Sequence, residues 1–415
     1  MRTTRRRQFL GATLAIPALA ARHAASAETV RVGALYPLTG NSASMGQEAK
    51  LALDFAADFI NAAHPEFADL PLAASAGLPN LGGAQIQLVL ADHRGDPTMA
   101  QTEALRLITQ QRVVALVGAY QSSAALTSTA VAERYGIPYV VSDSVAANIT
   151  ARGFKWTFRV TPIAANFAQT YMHFLGEMRQ AGRDIANIAI VNENTDYGTS
   201  VGDAIGAAAE ANGIPVPLRI PYSANSADVS PQVLQLKARN PSVVIFISYT
   251  SDAILYMRSI RSLGYAPPMI IADDAGFNDP SFITTVGEIS QGVLSRSVWS
   301  RGAPGSLTDR LAVAYKARTG AEMDDLAGRI MQTLFVLADA INRAGSTEPA
   351  KLQAALRATD MKRSQLIVGF DGVRFDQTGQ NELGSTYLTQ LRGKGYVTVW
   401  PASAATAPLQ WPLPR

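Results

Sequence analysis

The chain has 415 residues, 47% hydrophobic and 17% charged, a composition typical of globular proteins and long enough for two domains of ordinary size. It contains no cysteine, which excludes disulfides, thiol catalysis, a lipid-anchored cysteine and Cys–zinc sites. The formal charge of +3 belongs to the leader: residues 1–27 hold five arginines and no acid, and removing them leaves 31 cations against 33 acids, a net charge of −2. No basic stripe then remains to argue for nucleic acid or an anionic membrane.

The leader opens with a basic segment, Thr4–Leu10, and continues with an apolar run, Gly11–Ala21, too short to span a bilayer. Ala25-Ser26-Ala27 is a small-x-small cleavage site. Arg6-Arg7-x-Phe9-Leu10 resembles a twin-arginine export signal, with a general secretory signal as the alternative. Both imply export to a bacterial periplasm after cleavage at Ala27. No later stretch approaches the length of a membrane span.

Val30–Tyr36 reads as a strand running into the turn-rich loop Pro37–Ser42, and Gly46–Ala63 has helical spacing. His64–Gly83 has no clear period. Ile86–Leu90 is a strand, and Met99–Gln110 an amphipathic helix. Val113–Val117 is a short β-branched run before Gly118, and Gln121-Ser122-Ser123 then opens a helix over Ala125–Tyr135. Pro138–Val141 is another strand, ending in Ser142-Asp143-Ser144. Two strand ends thus offer hydroxyls and backbone N–H groups at one sheet edge. That edge is where ligands bind in open α/β sheets, and a helix N-terminus suits a carboxylate.

The β-α rhythm predicts a doubly wound parallel sheet. Trp156–Pro162 interrupts it and reads as a crossing into a second lobe. There the pattern repeats: strands at Ile188–Val191, Val216–Ile220, Val243–Ile247 and Met269–Ile271 alternate with helices. Gly292–Val298 reads as a strand returning to the first lobe, followed by helices at Asp309–Arg318 and Leu326–Arg343. Strands at Phe370–Phe375, Tyr387–Gln390 and Tyr396–Trp400 finish the second lobe, and the Pro-rich end is expected to be loose. The expected division is 28–160 plus 292–360 for lobe one and 161–291 plus 361–415 for lobe two. The expected hinges are Arg159–Thr161, Gln291–Gly292 and Met361–Ser364.

The order of Leu35–Gly40 (LYPLTG), Asp92–Pro97 (DHRGDP), Val117–Ala125 (VGAYQSSAA), Ile137–Thr150, Phe158–Pro162 (FRVTP), Asn192–Gly198 and Phe370-Asp371-Gly372 resembles the type I periplasmic binding proteins, and within them the branched-chain amino-acid group that serves ABC importers. The resemblance implies a two-lobed α/β clamp joined by three crossovers, which captures an amino acid or related small carboxylate and delivers it to an inner-membrane ABC permease. It implies a monomer without catalytic activity, cofactor, metal or nucleic-acid partner. Carried over by position, it puts the carboxylate grip at Ser122, Ser123 and the turn Ser144–Ala146. Ala146 stands where relatives often have a threonine. Tyr197 matches a tyrosine closing over the ligand, and Tyr249 follows a strand where cleft groups belong. Asp273 and Asp274 are candidates for an amine site, with loop and cap acids as the plain alternative. Met45 and Met331 fall near the expected side-chain pocket, and Tyr120 and Phe277 could add an aromatic wall.

Two other functions fit parts of the pattern. A sensor of the same fold would hand its closed state to a receptor. A periplasmic hydrolase would use Ser200, because Gly198–Gly202 matches G-x-S-x-G. The hydrolase reading is weak. Asn192–Tyr197 separates Ser200 from the preceding strand, and no histidine follows it; the four are His23, His64, His93 and His173.

Overall fold

The computed structural model describes residues 28–273 and 275–413. The leader, its cleavage site and the candidate Asp274 lie outside the described residues.

The first lobe is built by β1 (Thr29–Tyr36), α1 (Ala43–Asn61), β2 (Gln85–Asp92), α2 (Pro97–Thr109), β3 (Ala115–Gly118), α3 (Ser122–Tyr135), β4 (Tyr139–Val141) and β5 (Thr157–Arg159). Its five-stranded sheet has the order β2-β1-β3-β4-β5, with every pair parallel. The strands are β-branched and apolar because helices cover both faces. On one face α2 and α3 bury Leu107, Ala124 and Ala132.

The second lobe begins with α4 (Ala164–Gln180), β6 (Ile188–Glu193), α5 (Asp196–Ala211), β7 (Leu218–Tyr222), α6 (Ser230–Arg239), β8 (Val243–Ile247), α7 (Thr250–Ser262), β9 (Ile270–Ala272), α8 (Ala275–Asn278), α9 (Pro280–Val286) and β10 (Leu294–Ser297). The chain then returns to cover the first sheet with α10 (Leu307–Thr319), α11 (Asp325–Ala344) and α12 (Pro349–Arg357). A ribbon of β11 (Asp360–Lys362) and β12 (Gly372–Arg374) follows, and β13 (Tyr387–Arg392) and β14 (Gly395–Trp400) end the second lobe. The seven-stranded sheet has the order β14-β13-β10-β9-β8-β6-β7. It is parallel from β7 to β10 and antiparallel at β13 and β14.

Three sequence expectations are corrected. The segment at 292–298 does not return to the first lobe, because β10 lies between β9 and β13 in the second sheet; the chain crosses after Ser297. Residues 361–375 do not belong to the second lobe, because Met361, Leu366, Ile367, Phe370 and Val373 are buried in the core around α1 and α11. The C-terminal segment is tied down rather than loose. Gln390 exchanges two hydrogen bonds of 2.9 Å with the Gln410 backbone, and Leu409 and Trp411 pack on the second core.

His93, in the loop after β2, is fully buried, and its Nδ1 accepts the Gly95 N–H at 3.1 Å. Burial pushes its pKa down to about 4 from 6.5. The unfolded chain takes up this proton near pH 6.5 and the folded chain only near 4, so stability present above pH 6.5 is lost as pH falls toward 4. The loss amounts to roughly 3 kcal/mol at most. Urea denaturation at pH 7 and pH 4.5 should show a smaller acid-induced loss in His93→Gln than in the wild type; equal losses would contradict this assignment.

Candidate functional site

The C-terminal ends of the parallel strands in the two sheets face a common cavity. It is narrow, leaving only about 20 Å³ of room, and is lined by Tyr120, Ser122, Asp143, Ser144, Val145, Tyr197, Tyr249, Ala275, Arg296 and Arg329. That is room for about one water, so in this arrangement the two walls lie nearly in contact.

The first-lobe wall comes from the loops after β3 and β4. Ser122 is the first residue of α3 and is buried. The helix ladder begins with Ala125, whose N–H reaches Gln121 O at 3.0 Å, so the N–H groups before it lie outside that ladder. Ser122 Oγ accepts the Ala146 N–H at 3.3 Å, which leaves the hydroxyl proton able to donate elsewhere. Ser144 Oγ donates to Ala119 O at 2.6 Å and so fixes the neighbouring turn. The helix N-terminus adds a partial positive charge.

The second-lobe wall comes from the starts of α5, α7 and α8. A local device sets the first of these: the Glu193 carboxylate accepts Thr195 N–H at 2.5 Å and Gly198 N–H at 2.6 Å, capping α5. Burial raises the Glu193 pKa against the pull of these donors. Tyr197 is thereby turned toward Tyr249, with ring centroids 5.2 Å apart, and Tyr120 meets Tyr249 from the opposite lobe at 6.0 Å. The tyrosines form an aromatic wall with polar tips.

Two arginines complete the lining, and sequence reasoning missed both. Arg296 on β10 is 2% exposed; it bonds Asp273 at 3.1 Å and lies over the Phe167 ring at 3.7 Å. Asp273 also accepts from Tyr171 Oη at 2.5 Å and from Tyr197 Oη at 3.1 Å. Arg329 on α11 is also 2% exposed, and pairs with Asp143 at 2.9 Å and Asp325 at 3.3 Å. The available signal was an arginine flanked by the apolar residues Leu326–Gly328 and Ile330-Met331, where a buried charge requires a partner.

Of the expected site residues, Tyr120, Ser122, Ser144, Tyr197 and Tyr249 line the cavity together. Ser123 is half-buried on α3 and does not line it. Ala146 lies behind the turn and contributes backbone only, donating to Ser122 and accepting from Arg159 at 2.7 Å. Asp273 is held in the Arg296 pair rather than in the lining. Met45 and Met331 are buried in the first-lobe core, as plain helix packing residues. Phe277 is buried in the second-lobe core against Phe246 and Phe282. Ser200 stands in the first turns of α5, where its Oγ accepts the Ala147 N–H at 3.1 Å from the opposite lobe.

Residues 29–395 match the family model described as periplasmic binding protein. The chain is 31% identical over 420 residues to Leu/Ile/Val-binding protein homolog 8 of Brucella suis biovar 1, covering 98% of each protein. The chain belongs to this family of Leu/Ile/Val-binding-like periplasmic binding proteins. A solved leucine-binding protein from Thermotoga maritima shares the fold with a TM-score of 0.75 at 22% identity, over 89% of this chain and 97% of that one. A solute-binding protein of an ABC transporter from Rhodopseudomonas palustris, solved with 3,4-dihydroxybenzoic acid, gives 0.73 at 18%, over 89% and 95%. Like its relatives, this periplasmic binding protein is a two-lobed type I clamp, and no helix among the described residues is long and apolar enough to cross a membrane.

The close approach of α8 to α7 shapes the second-lobe wall of this binding protein. A Cβ on Gly276 would lie 2.2 Å from Tyr249 C and 2.3 Å from Thr250 N. Gly276→Ala should therefore displace Tyr249 and lower stability by about 1–3 kcal/mol in chemical denaturation; a neutral effect would show that the approach is not constrained.

Proposed function

We propose that this chain is the substrate-binding component of an ABC importer, capturing a small carboxylate between the lobes in the periplasm and presenting the closed clamp to an inner-membrane permease. One observation carries the reading. A buried serine at the first turn of a 14-residue helix lines an interlobe cavity, with its proton and the helix N-terminal amides available to an anion. The proposed lobes are 28–160 with 298–380, and 161–297 with 381–413, following the sheets and cores.

Closure is supported by contacts across the cleft. Ser44 Oγ donates to Asp279 at 2.9 Å, Asn41 Nδ2 to Asn225 at 2.8 Å, and Ala147 N–H to Ser200. A ligand binding both walls favours this arrangement by its differential affinity for it.

The lining suits a carboxylate. Among the described residues it offers two guanidinium groups and one carboxylate, Asp143, which is paired with Arg329. Asp273 is paired with Arg296. The related protein solved with 3,4-dihydroxybenzoic acid supports an aromatic acid as one member of the class.

A thermal-shift screen should raise Tm with aliphatic or aromatic carboxylates and leave it unchanged with amides and sugars. Response to amides or sugars alone would contradict the carboxylate reading. Ser122→Ala should weaken binding by about 1–3 kcal/mol without unfolding the protein; equal affinity would remove Ser122 from the site.

A further inference from the structure

Arg159 is the last residue of β5 and is completely buried. No carboxylate pairs with it among the described residues. Its guanidinium donates instead to neutral oxygens: Nη1 to Ser144 O at 3.1 Å and Ala146 O at 2.7 Å, Nη2 to Thr150 Oγ1 at 2.8 Å, and Nε to Gln380 Oε1 at 2.6 Å. Burial pulls its pKa down to about 9, with the nearby Arg152 charge adding and Asp376 opposing, so it stays charged at neutral pH. A buried cation held by neutral dipoles keeps its field, and that field favours an anion nearby.

The bonds have two directions. Ser144 O belongs to the peptide group whose N–H is that of Val145, a residue lining the cavity. The Val145 N–H has no protein acceptor among the described residues. Ala146 O belongs to the peptide group whose N–H, on Ala147, donates to Ser200 of the second lobe. A cation bonded to each carbonyl polarises the N–H at the other end of the same peptide. One guanidinium thus acts on the ligand wall and on a closing contact.

Arg159 also sits where two crossovers meet. Its N–H donates to Gly379 O at 2.8 Å, and its carbonyl accepts Asn381 N–H at 2.9 Å. Gln380 Nε2 donates to Thr161 O at 3.0 Å, and Asn381 Nδ2 to Val160 O at 3.1 Å. Gly379, at φ 86°, lets the third crossover approach this closely, since a Cβ there would lie 2.1 Å from Thr157 O.

We propose that Arg159 is the positioning residue that makes the cleft select an anion, acting through the Ser144–Ala147 peptide groups, and that it ties this turn to the first and third crossovers. The assignment rests on the carboxylate reading above. Isothermal titration with benzoate against benzamide, and leucine against leucinamide, tests it. Arg159→Met should reduce the carboxylate-to-amide affinity ratio about tenfold or more, and Arg159→Lys should recover most of it. A purely structural role would weaken both members of a pair alike, and that result overturns the assignment. Should Arg159→Met not fold, Arg159→Lys and Gln380→Leu decide. Arg159→Lys should keep the ratio within about threefold of the wild type, and Gln380→Leu should weaken both members equally. A lost preference in Arg159→Lys, or a changed ratio in Gln380→Leu, overturns the assignment. Wild-type protein that binds neither carboxylate overturns both this proposal and the reading beneath it, whereas carboxylate binding with equal losses overturns only the role of Arg159.

Discussion

Three arginines buried beside one cavity must each find partners, and the way each does so shapes the cleft. A guanidinium removed from water is tolerated only when its charge and donors are met. Arg296 is met by Asp273 and the Phe167 ring, Arg329 by Asp143 and Asp325, and Arg159 by carbonyl, amide and hydroxyl oxygens. The partners come from strands, turns and crossovers far apart in sequence. The same contacts that keep these charges inside also join the loops of the first lobe to α11 and the hinge. The consequence is a narrow cleft lined by paired charges, hydroxyls and aromatic rings.

The fold explains why these groups converge. Parallel strands in both sheets end at the same side, so the helix N-termini and the turns between them face one crevice. Dipoles, hydroxyls and aromatic rings are thereby gathered without long loops. Ser122, Tyr197 and Tyr249 occupy equivalent places, at or next to the first residues of helices that follow strands. Ser200, the one residue whose local pattern suggested a nucleophile, accepts a backbone N–H across the cleft.

Much of this was legible in the sequence because it is local. β-branched runs, helical periodicity and small polar turns defined the parallel strands and the serine-bearing edge, and Ser122, Ser144 and Tyr249 followed from their places after strands; Tyr197 came from the resemblance to the binding-protein family, and Tyr120 was a candidate for an aromatic wall. The arginines were not legible, since Arg329 finds Asp143 across 186 positions and Arg296 finds Asp273 only through sheet pairing. For the same reason β10 was assigned to the wrong lobe: Leu294–Ser297 reads as a strand, but nothing local says which sheet receives it. Met45 and Met331 show the converse. The resemblance put them near a side-chain pocket, with plain helix packing as the alternative, and on α1 and α11 they are buried in the first-lobe core. Asp273 had the right chemistry for an ammonium partner, but the guanidinium beside it already meets that carboxylate.

The central claim is that an anion is held between the lobes at the start of α3. A crystal structure of the mature protein with the tightest-binding carboxylate tests it most directly. Carboxylate density is expected within hydrogen-bonding distance of Ser122 Oγ and the first N–H groups of α3, with the body of the ligand against Tyr197 and Tyr249. A ligand seated instead in the outer groove bounded by Ser300, Leu307, Ile367 and Tyr387 would contradict it.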